Sequence, residues 1–176
     1  MVTAAIDLSK FETCPINKVA FKTKQAMAER KWLFVWDKNG AVSTFFKYQG
    51  NLCDFGHELM AAAQGRKSVD DALKVMRDSI VFVQRNAGLL MVDLGKTTPA
   101  FNDRSFLKQD IFTAEQAFYR GELPRCLPLD DNPCAEYTLE DDYGIAMRST
   151  VETEEELMNV LARIPHSQNF KLLIVE

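Results

Sequence analysis

The chain has 176 residues and a mass of 20.0 kDa, with 47% hydrophobic and 26% charged residues. This composition is typical of one globular domain, which at this length buries roughly 70% of the surface that its unfolded chain exposes. A formal charge of -4 and an isoelectric point near 5.3 argue against a nucleic-acid-binding protein, because such proteins carry a strongly basic surface.

The four cysteines and two histidines lack the spacing of a metal site. No two cysteines form a CxxC pair, and neither His57 nor His166 lies near such a pair, whereas a zinc site needs several closely spaced ligands. No apolar run approaches the ~20 residues that span a bilayer, and the first residues lack the pattern of a secretory signal. We therefore expect a cytoplasmic protein with reduced cysteines that binds no metal, cofactor or nucleic acid and does not span a membrane.

The first 30 residues are predicted to form an N-terminal arm and a helix. Residues 1 to about 15 show no periodicity and are predicted to be irregular. From Ile16 to Met27 the apolar residues recur at three- and four-residue steps, which is typical of an amphipathic helix reaching about Glu29. The basic residues of this region are predicted to form a solvated helix face: Lys18, Lys22, Lys24, Arg30 and Lys31.

Residues 31–176 are predicted to form an α/β domain. Residues 32–37 are apolar without alternation up to Asp37, as in a strand that is covered on both faces of a parallel sheet. Further strands are predicted at residues 89–94, 144–150 and 170–175, and helices at 56–64, 68–86 and 153–163. This alternation predicts a three-layer sandwich with a mostly parallel central sheet.

The segments between these elements are less regular. Residues 44–48 can begin a helix or continue extended, and the sequence leaves both open. A short helix is predicted at residues 113–119. Residues 123–142 contain three of the six prolines and a run of acids, which predicts a long surface excursion.

The first strand runs into Asp37-Lys38-Asn39-Gly40-Ala41-Val42-Ser43-Thr44, which has the frame of a phosphate-binding loop, G-x-x-x-x-G-K-[ST]. When Thr44 is aligned with the hydroxyl position, Ser43 replaces the lysine, and Val42 and Asp37 replace the two glycines. The missing lysine would offset phosphate charge, and the missing glycines would let backbone amides wrap the phosphates. With neither a cation nor a glycine pair at the positions where a triphosphate would rest, we expect no triphosphate beside the first strand.

Two alternative sites remain open. If nucleotide binding is retained, its residues are Gly40, Ser43 and Thr44, with Asp93 at the end of a later apolar strand to hold magnesium. Ser149 and Thr150 end a third strand, where a working ATPase carries a residue that senses the γ-phosphate, although an ordinary strand-to-helix N-cap region explains them equally well.

The second alternative is a small α/β enzyme that uses Cys53 or His57. These residues lie within one short segment with Asp54, but no orienting partner of defined spacing accompanies them. We therefore predict no catalytic residue.

The run at residues 33–49 resembles the start of the C-terminal domain of IQ-motif and ankyrin-repeat proteins. The shared features are an apolar strand, an Asp-x-x-Gly turn ending at Gly40, then Thr44-Phe45 and an aromatic residue at Tyr48. The later order is also similar, with Ala72-Leu73 and Ile80 in a helix before Gly88-Leu89-Leu90-Met91-Val92-Asp93-Leu94. Over residues 30–176, the resemblance implies an α/β domain like that of P-loop NTPases with a degenerate phosphate loop, in a group found largely in organisms with cilia or flagella.

These patterns together predict a non-catalytic structural or interaction module that docks with protein subunits of a larger assembly. The resemblance points to a ciliary, or axonemal, microtubule structure; the alternative is a nucleotide-binding protein with an atypical phosphate loop. About half of five aromatic residues are predicted to be core and the rest interface anchors: Phe101, Phe106, Phe112, Phe118 and Tyr119.

Overall fold

A computed structural model of the protein describes residues 8–48, 50–103, 106, 111–112, 114–118 and 143–176. Its centre is a six-stranded sheet in which every strand pairs in parallel, in the order β1-β6-β2-β5-β4-β3. The strands are β1 (Phe11–Cys14), β2 (Leu33–Trp36), β3 (Asn51–Cys53), β4 (Gly88–Asp93), β5 (Tyr143–Ser149) and β6 (Lys171–Val175). The prediction of an α/β fold with a parallel sheet is confirmed.

Six α-helices occur in the described residues: α1 (Val19–Ala28), α2 (Ser43–Tyr48), α3 (Phe55–Ala63), α4 (Val69–Asn86), α5 (Ala114–Ala117) and α6 (Glu154–Ala162). Helix α4 begins with a capping box between Ser68 and Asp71, and α6 begins with one between Thr153 and Glu156. In each box the side chains satisfy backbone amides that the first helical turn leaves without partners. Residues 44–48, which the sequence left open, are helical.

Buried side chains form a core on each face of the sheet. In β2, Phe34 and Trp36 belong to the larger core, as does Trp32 just before the strand, whereas Leu33 and Val35 belong to the smaller one. Because successive side chains of a strand point to opposite faces, the two cores lie on opposite sides of the sheet. Helices α3 to α6 contribute to the larger core, and α1 and α2 contribute to the smaller one.

The N-terminal segment joins the sheet instead of remaining an irregular arm. Strand β1 pairs with β6, with Phe11 opposite Leu172 and Cys14 opposite Val175. The prediction of irregular structure is therefore wrong for Phe11–Cys14, where four residues with a polar middle give too little pattern to identify an edge strand. The sheet thus includes chain from both sides of the boundary predicted at residue 30.

Strand β3 was not predicted, because a strand of three residues is too short to show the alternation of buried and exposed side chains that identifies a strand. It leads directly into α3, where the Asp54 carboxylate accepts a hydrogen bond of 3.1 Å from the amide of His57. Gly56 lets this helix approach β4 closely: a Cβ atom there would lie 2.5 Å from the carbonyl oxygen of Leu94. Helix α3 is therefore fixed against the chain that follows β4.

Three of the five aromatic residues that the sequence divides between core and interface are core residues. Phe101, Phe112 and Phe118 are buried, and the Phe101 ring stacks on Phe55 with centroids 5.4 Å apart. Phe106 is half-buried and packs against the same core. Three buried rings agree with the prediction that about half of the five are core, while Tyr119 and the predicted excursion at residues 123–142 lie outside the described residues.

Candidate functional site

The strand order brings the ends of three central strands together. Strand β5 lies between β2 and β4, and all three are parallel, so their carboxyl ends lie at one edge. Asp37 follows β2, Arg148 lies near the end of β5 and Asp93 ends β4. This edge is where ligands usually bind in open α/β sheets.

At this edge, the guanidinium of Arg148 binds both carboxylates. Its Nε donates to Asp37 Oδ2 over 2.8 Å, and its Nη1 donates to Asp93 Oδ2 over 2.5 Å. The exposed fractions of the side chains are 0% for Asp37, 6% for Arg148 and 19% for Asp93. Burial of a charge is costly unless it is paired and hydrogen-bonded, so the three groups depend on one another, and their formal charges sum to -1.

The carboxylate of Asp37 also fixes the loop between β2 and α2. Its Oδ1 accepts from the Ala41 amide over 2.9 Å, and its Oδ2 accepts from the Val42 amide over 3.2 Å. Gly40 makes the intervening turn with a φ of +67°, in the left-handed region that glycine adopts most easily. An active phosphate loop turns such amides toward phosphate, whereas here Asp37 occupies two of them.

The other residues predicted for a retained nucleotide site are only partly brought together. Gly40 lies next to Arg148, because a Cβ atom on Gly40 would be 3.7 Å from Arg148 Nη2. Asp93 contacts the same guanidinium, and its Oδ1 accepts from the Gly95 amide over 2.9 Å. Ser43 and Thr44 begin α2, and within the described ranges no hydrogen bond connects either residue to Asp93.

Ser149 and Thr150 connect the loops of this edge through their backbones. The carbonyl oxygen of Ser149 accepts from the Asp37 amide over 2.9 Å, and the Thr150 amide donates to Gly95 O over 2.8 Å. The Ser149 hydroxyl is buried and donates to Gly95 O over 3.3 Å. Both residues thus hold the chain after β5 against the chains after β2 and β4.

Arg148 is the residue that the sequence analysis missed. The prediction considered only the cation missing from the loop, whereas the cation at this edge comes from β5. The available signal was one arginine in an otherwise apolar strand, together with two strands that end in aspartate. A lone charge within a buried strand needs a partner of opposite charge.

The structure separates Cys53 and His57 by environment. Cys53 is buried at the end of β3, and burial raises the pKa of its thiol to about 12. His57 is exposed on α3, with its amide bonded to Asp54. A reactive cysteine needs a thiolate in an accessible, electropositive setting, which Cys53 does not have.

Neither a metal-binding cluster nor a membrane-spanning helix occurs among the described residues. In that part of the chain, His, Cys, Asp and Glu side chains form no group of three or more able to hold a metal ion. The described helices include none with the length and apolar character needed to cross a bilayer.

The fold and its site define an α/β protein with a parallel sheet, in which Arg148 pairs with Asp37 and Asp93 at the carboxyl edge. Comparison with protein-family models, curated proteins and solved structures found no match.

Proposed function

We propose that the protein is a non-catalytic α/β module that docks with protein subunits of a larger assembly. The observation that carries this proposal is the bonding of Arg148 between Asp37 and Asp93 at the edge where a ligand would bind. The only cation of this cluster is already shared between two carboxylates of the same chain. A phosphate chain placed here would meet a cluster whose net formal charge is negative.

A nucleotide would also have to compete with the bonds of the loop. The two amide bonds to Asp37 have a charged acceptor, and each such bond contributes about 1.5–3 kcal/mol. Releasing those amides would leave the fully buried Asp37 carboxylate with fewer partners. These costs support a function without phosphoryl transfer, which depends on cations and amides free to stabilise phosphate.

A degenerate P-loop-like domain is the ancestry that we propose for this module. Its support is the passage from β2 through a glycine turn into a helix beginning with Ser43-Thr44, together with the aspartate that ends β4. The resemblance to the C-terminal domain of IQ-motif and ankyrin-repeat proteins adds the proposal of a ciliary or axonemal assembly.

Docking has further support from large apolar side chains that the fold leaves exposed. Seven occur on the described surface: Ile16, Phe21, Tyr48, Leu52, Met60, Val69 and Phe82. Aromatic residues at a surface are the usual anchors of protein interfaces, so Phe21, Tyr48 and Phe82 are the first candidates for contact with a partner.

The nucleotide part of the proposal is tested by melting the purified protein with ATP, GTP or ADP in the presence of magnesium. A ligand at about a hundred times its dissociation constant adds about 2.7 kcal/mol to the unfolding free energy, which is a clear rise in melting temperature. We expect no rise with any of the three. A rise that is lost in Asp93→Ala, but kept in Asp54→Ala, would favour the atypical nucleotide-binding site over our proposal.

The docking part is tested by tagging the protein in a ciliated cell. We expect the tagged protein to concentrate at a cilium or flagellum and to co-purify with defined subunits in a fixed ratio. A protein that stays diffuse and co-purifies with nothing would contradict the docking proposal.

A further inference from the structure

Helix α1 carries an exposed surface that combines apolar and basic side chains. Phe21 and Lys24 lie one turn apart on α1, and Lys18, the N-cap residue just before the helix, lies one turn ahead of Phe21. The opposite face is buried in the smaller core through Val19 and Ala26. We call Lys18, Phe21 and Lys24 the outer surface of α1.

Phe21 is the apolar centre of this surface. Its exposed fraction is 62%, the largest among the exposed phenylalanines of the described residues. Covering an aromatic side chain of this kind removes apolar surface from water, which favours association. Ile16, in the short 3-10 helix before α1, is also 47% exposed.

The charge around Phe21 is opposite to that of the chain as a whole. Residues 8–31 contain six basic and two acidic residues, a formal charge of +4, whereas the whole chain carries -4. Both acids of this segment are already paired, Glu12 with Lys22 and Glu29 with Lys171. Lys18 and Lys24 form no ion pair with any residue that the structure describes, so their charges face solvent beside Phe21.

We propose that the outer surface of α1 binds an acidic segment of another protein, with an apolar side chain against Phe21 and carboxylates against Lys18 and Lys24. This inference rests on the proposed docking function and names the chemistry of the partner. An acidic segment is attracted to residues 8–31 and repelled by the rest of a net-negative chain, so the charge distribution orients its approach. An aromatic centre within a charged rim is also the usual arrangement of an interface hot spot.

The other exposed phenylalanine has a different setting, which makes it a matched control. Phe82 on α4 is 51% exposed, and it lines a shallow groove with the acidic Asp78. Lys74 is an exposed lysine on the same helix. Variants at Phe82 and Lys74 therefore remove the same groups as variants at Phe21 and Lys24, but from a surface without the net positive charge.

The test uses a fluorescent synthetic peptide of alternating leucine and glutamate clusters, and follows its anisotropy with the full chain. We expect Phe21→Ala and Lys24→Glu each to weaken binding at least about tenfold, and Phe82→Ala and Lys74→Glu to change it less than about twofold. We also expect wild-type affinity to fall as salt rises, because the lysines are exposed. Unfolding curves of the four variants show that each is folded before its affinity is compared.

Several results would overturn this inference. The first is a peptide that does not bind, and the second is an equal loss of peptide affinity in the α1 and α4 variants. The third is Phe21-dependent binding, tighter than that of the peptide, to an oligothymidine of about 20 nucleotides or to a phosphatidylserine vesicle. Self-association that disappears in Lys24→Glu would make a second copy the occupant, and would also overturn it. None of these results bears on the nucleotide titration, so failure of the α1 surface is distinguishable from failure of the non-catalytic proposal.

Discussion

The carboxyl edge of the sheet and the outer surface of α1 use charge in opposite ways. At the edge, Arg148 is 6% exposed and bonded to two carboxylates of its own chain. On the outer surface of α1, Lys24 and the N-cap residue Lys18 are exposed near an exposed phenylalanine. Buried charges that satisfy one another leave little for a ligand and are costly to separate, whereas exposed charges contribute little to the stability of the fold. The edge is therefore where a single substitution should destabilise the fold most, and the outer surface of α1 is where we propose recognition.

Replacing the central cation of the edge should have the largest effect on stability. Arg148→Met leaves Asp37, which is 0% exposed, as a buried charge without its cation. Breaking a buried pair in this way costs about 3–5 kcal/mol, and urea unfolding measures the loss. Lys96→Met, which breaks an ion pair in which both side chains are 69% exposed, should leave the unfolding midpoint nearly unchanged.

A second variant separates the charge effect from the packing effect. The double variant Asp37→Asn/Arg148→Met no longer isolates the fully buried Asp37 charge and leaves only Asp93, which is 19% exposed, without its cation. It should therefore recover part of the stability that Arg148→Met loses. If the double variant is less stable than the single one by the full cost of Asp37→Asn alone, the two side chains are not coupled and the description of the edge is wrong.

A methyl group at Gly56 should disturb the edge from the side of α3. Its Cβ would lie 2.5 Å from the carbonyl oxygen of Leu94, next to the Gly95 amide that bonds Asp93. Because backbone atoms cannot rotate away, we expect Gly56→Ala to cost about 2 kcal/mol in urea unfolding. Met60→Ala on the exposed side of the same helix is the control, and an equal loss there would contradict the close approach.

Gly40→Ala should have a smaller effect, because the methyl group fits. Its Cβ would be 3.7 Å from Arg148 Nη2, an ordinary contact, so only the positive φ of +67° is unfavourable. We expect a loss of about 1 kcal/mol in the free energy of unfolding, and a smaller loss for Gly40→Asn, because asparagine tolerates this conformation better than alanine. Equal losses for both variants would indicate a cost other than backbone conformation.

Changes on the outer surface of α1 should have the smallest effect on stability. Phe21 is 62% exposed, so Phe21→Ala should alter the free energy of unfolding by less than about 0.5 kcal/mol while it weakens peptide binding. The same urea curves that measure Arg148→Met measure this change. A loss above about 1.5 kcal/mol would mean that Phe21 supports the fold, and would remove the distinction between the two regions.

The sequence predicted the parts of the fold that have a local signal. Strands β2, β4, β5 and β6 are apolar runs, and α4 and α6 begin with capping boxes that residues three positions apart define. Strands β1 and β3 are the two edge strands and have only four and three residues. Most of their side chains are exposed or half-buried, so their sequences show no run of apolar residues. Such short segments take their structure from the strands beside them.

The site was harder to predict because its partners are distant in the chain. Arg148 is 111 residues from Asp37 and 55 residues from Asp93, and only the strand order makes them neighbours. The sequence did show that Asp37 stands where a phosphate loop has glycine. It did not show that the same carboxylate would bond the amides of Ala41 and Val42, because that depends on the turn at Gly40.

The central claim is that Asp37 keeps phosphate from the carboxyl edge of the sheet. Its most direct test is an ¹⁵N–¹H NMR titration with ATP and magnesium that follows the amides of Ala41 and Val42 and the Nε–H of Arg148. The three N–H groups all donate to Asp37, so each should exchange slowly with solvent and keep its chemical shift throughout the titration. Saturable shifts of the Ala41 and Val42 amides, with loss of the protected Arg148 Nε–H signal, would show that phosphate displaces Asp37, and would contradict the account.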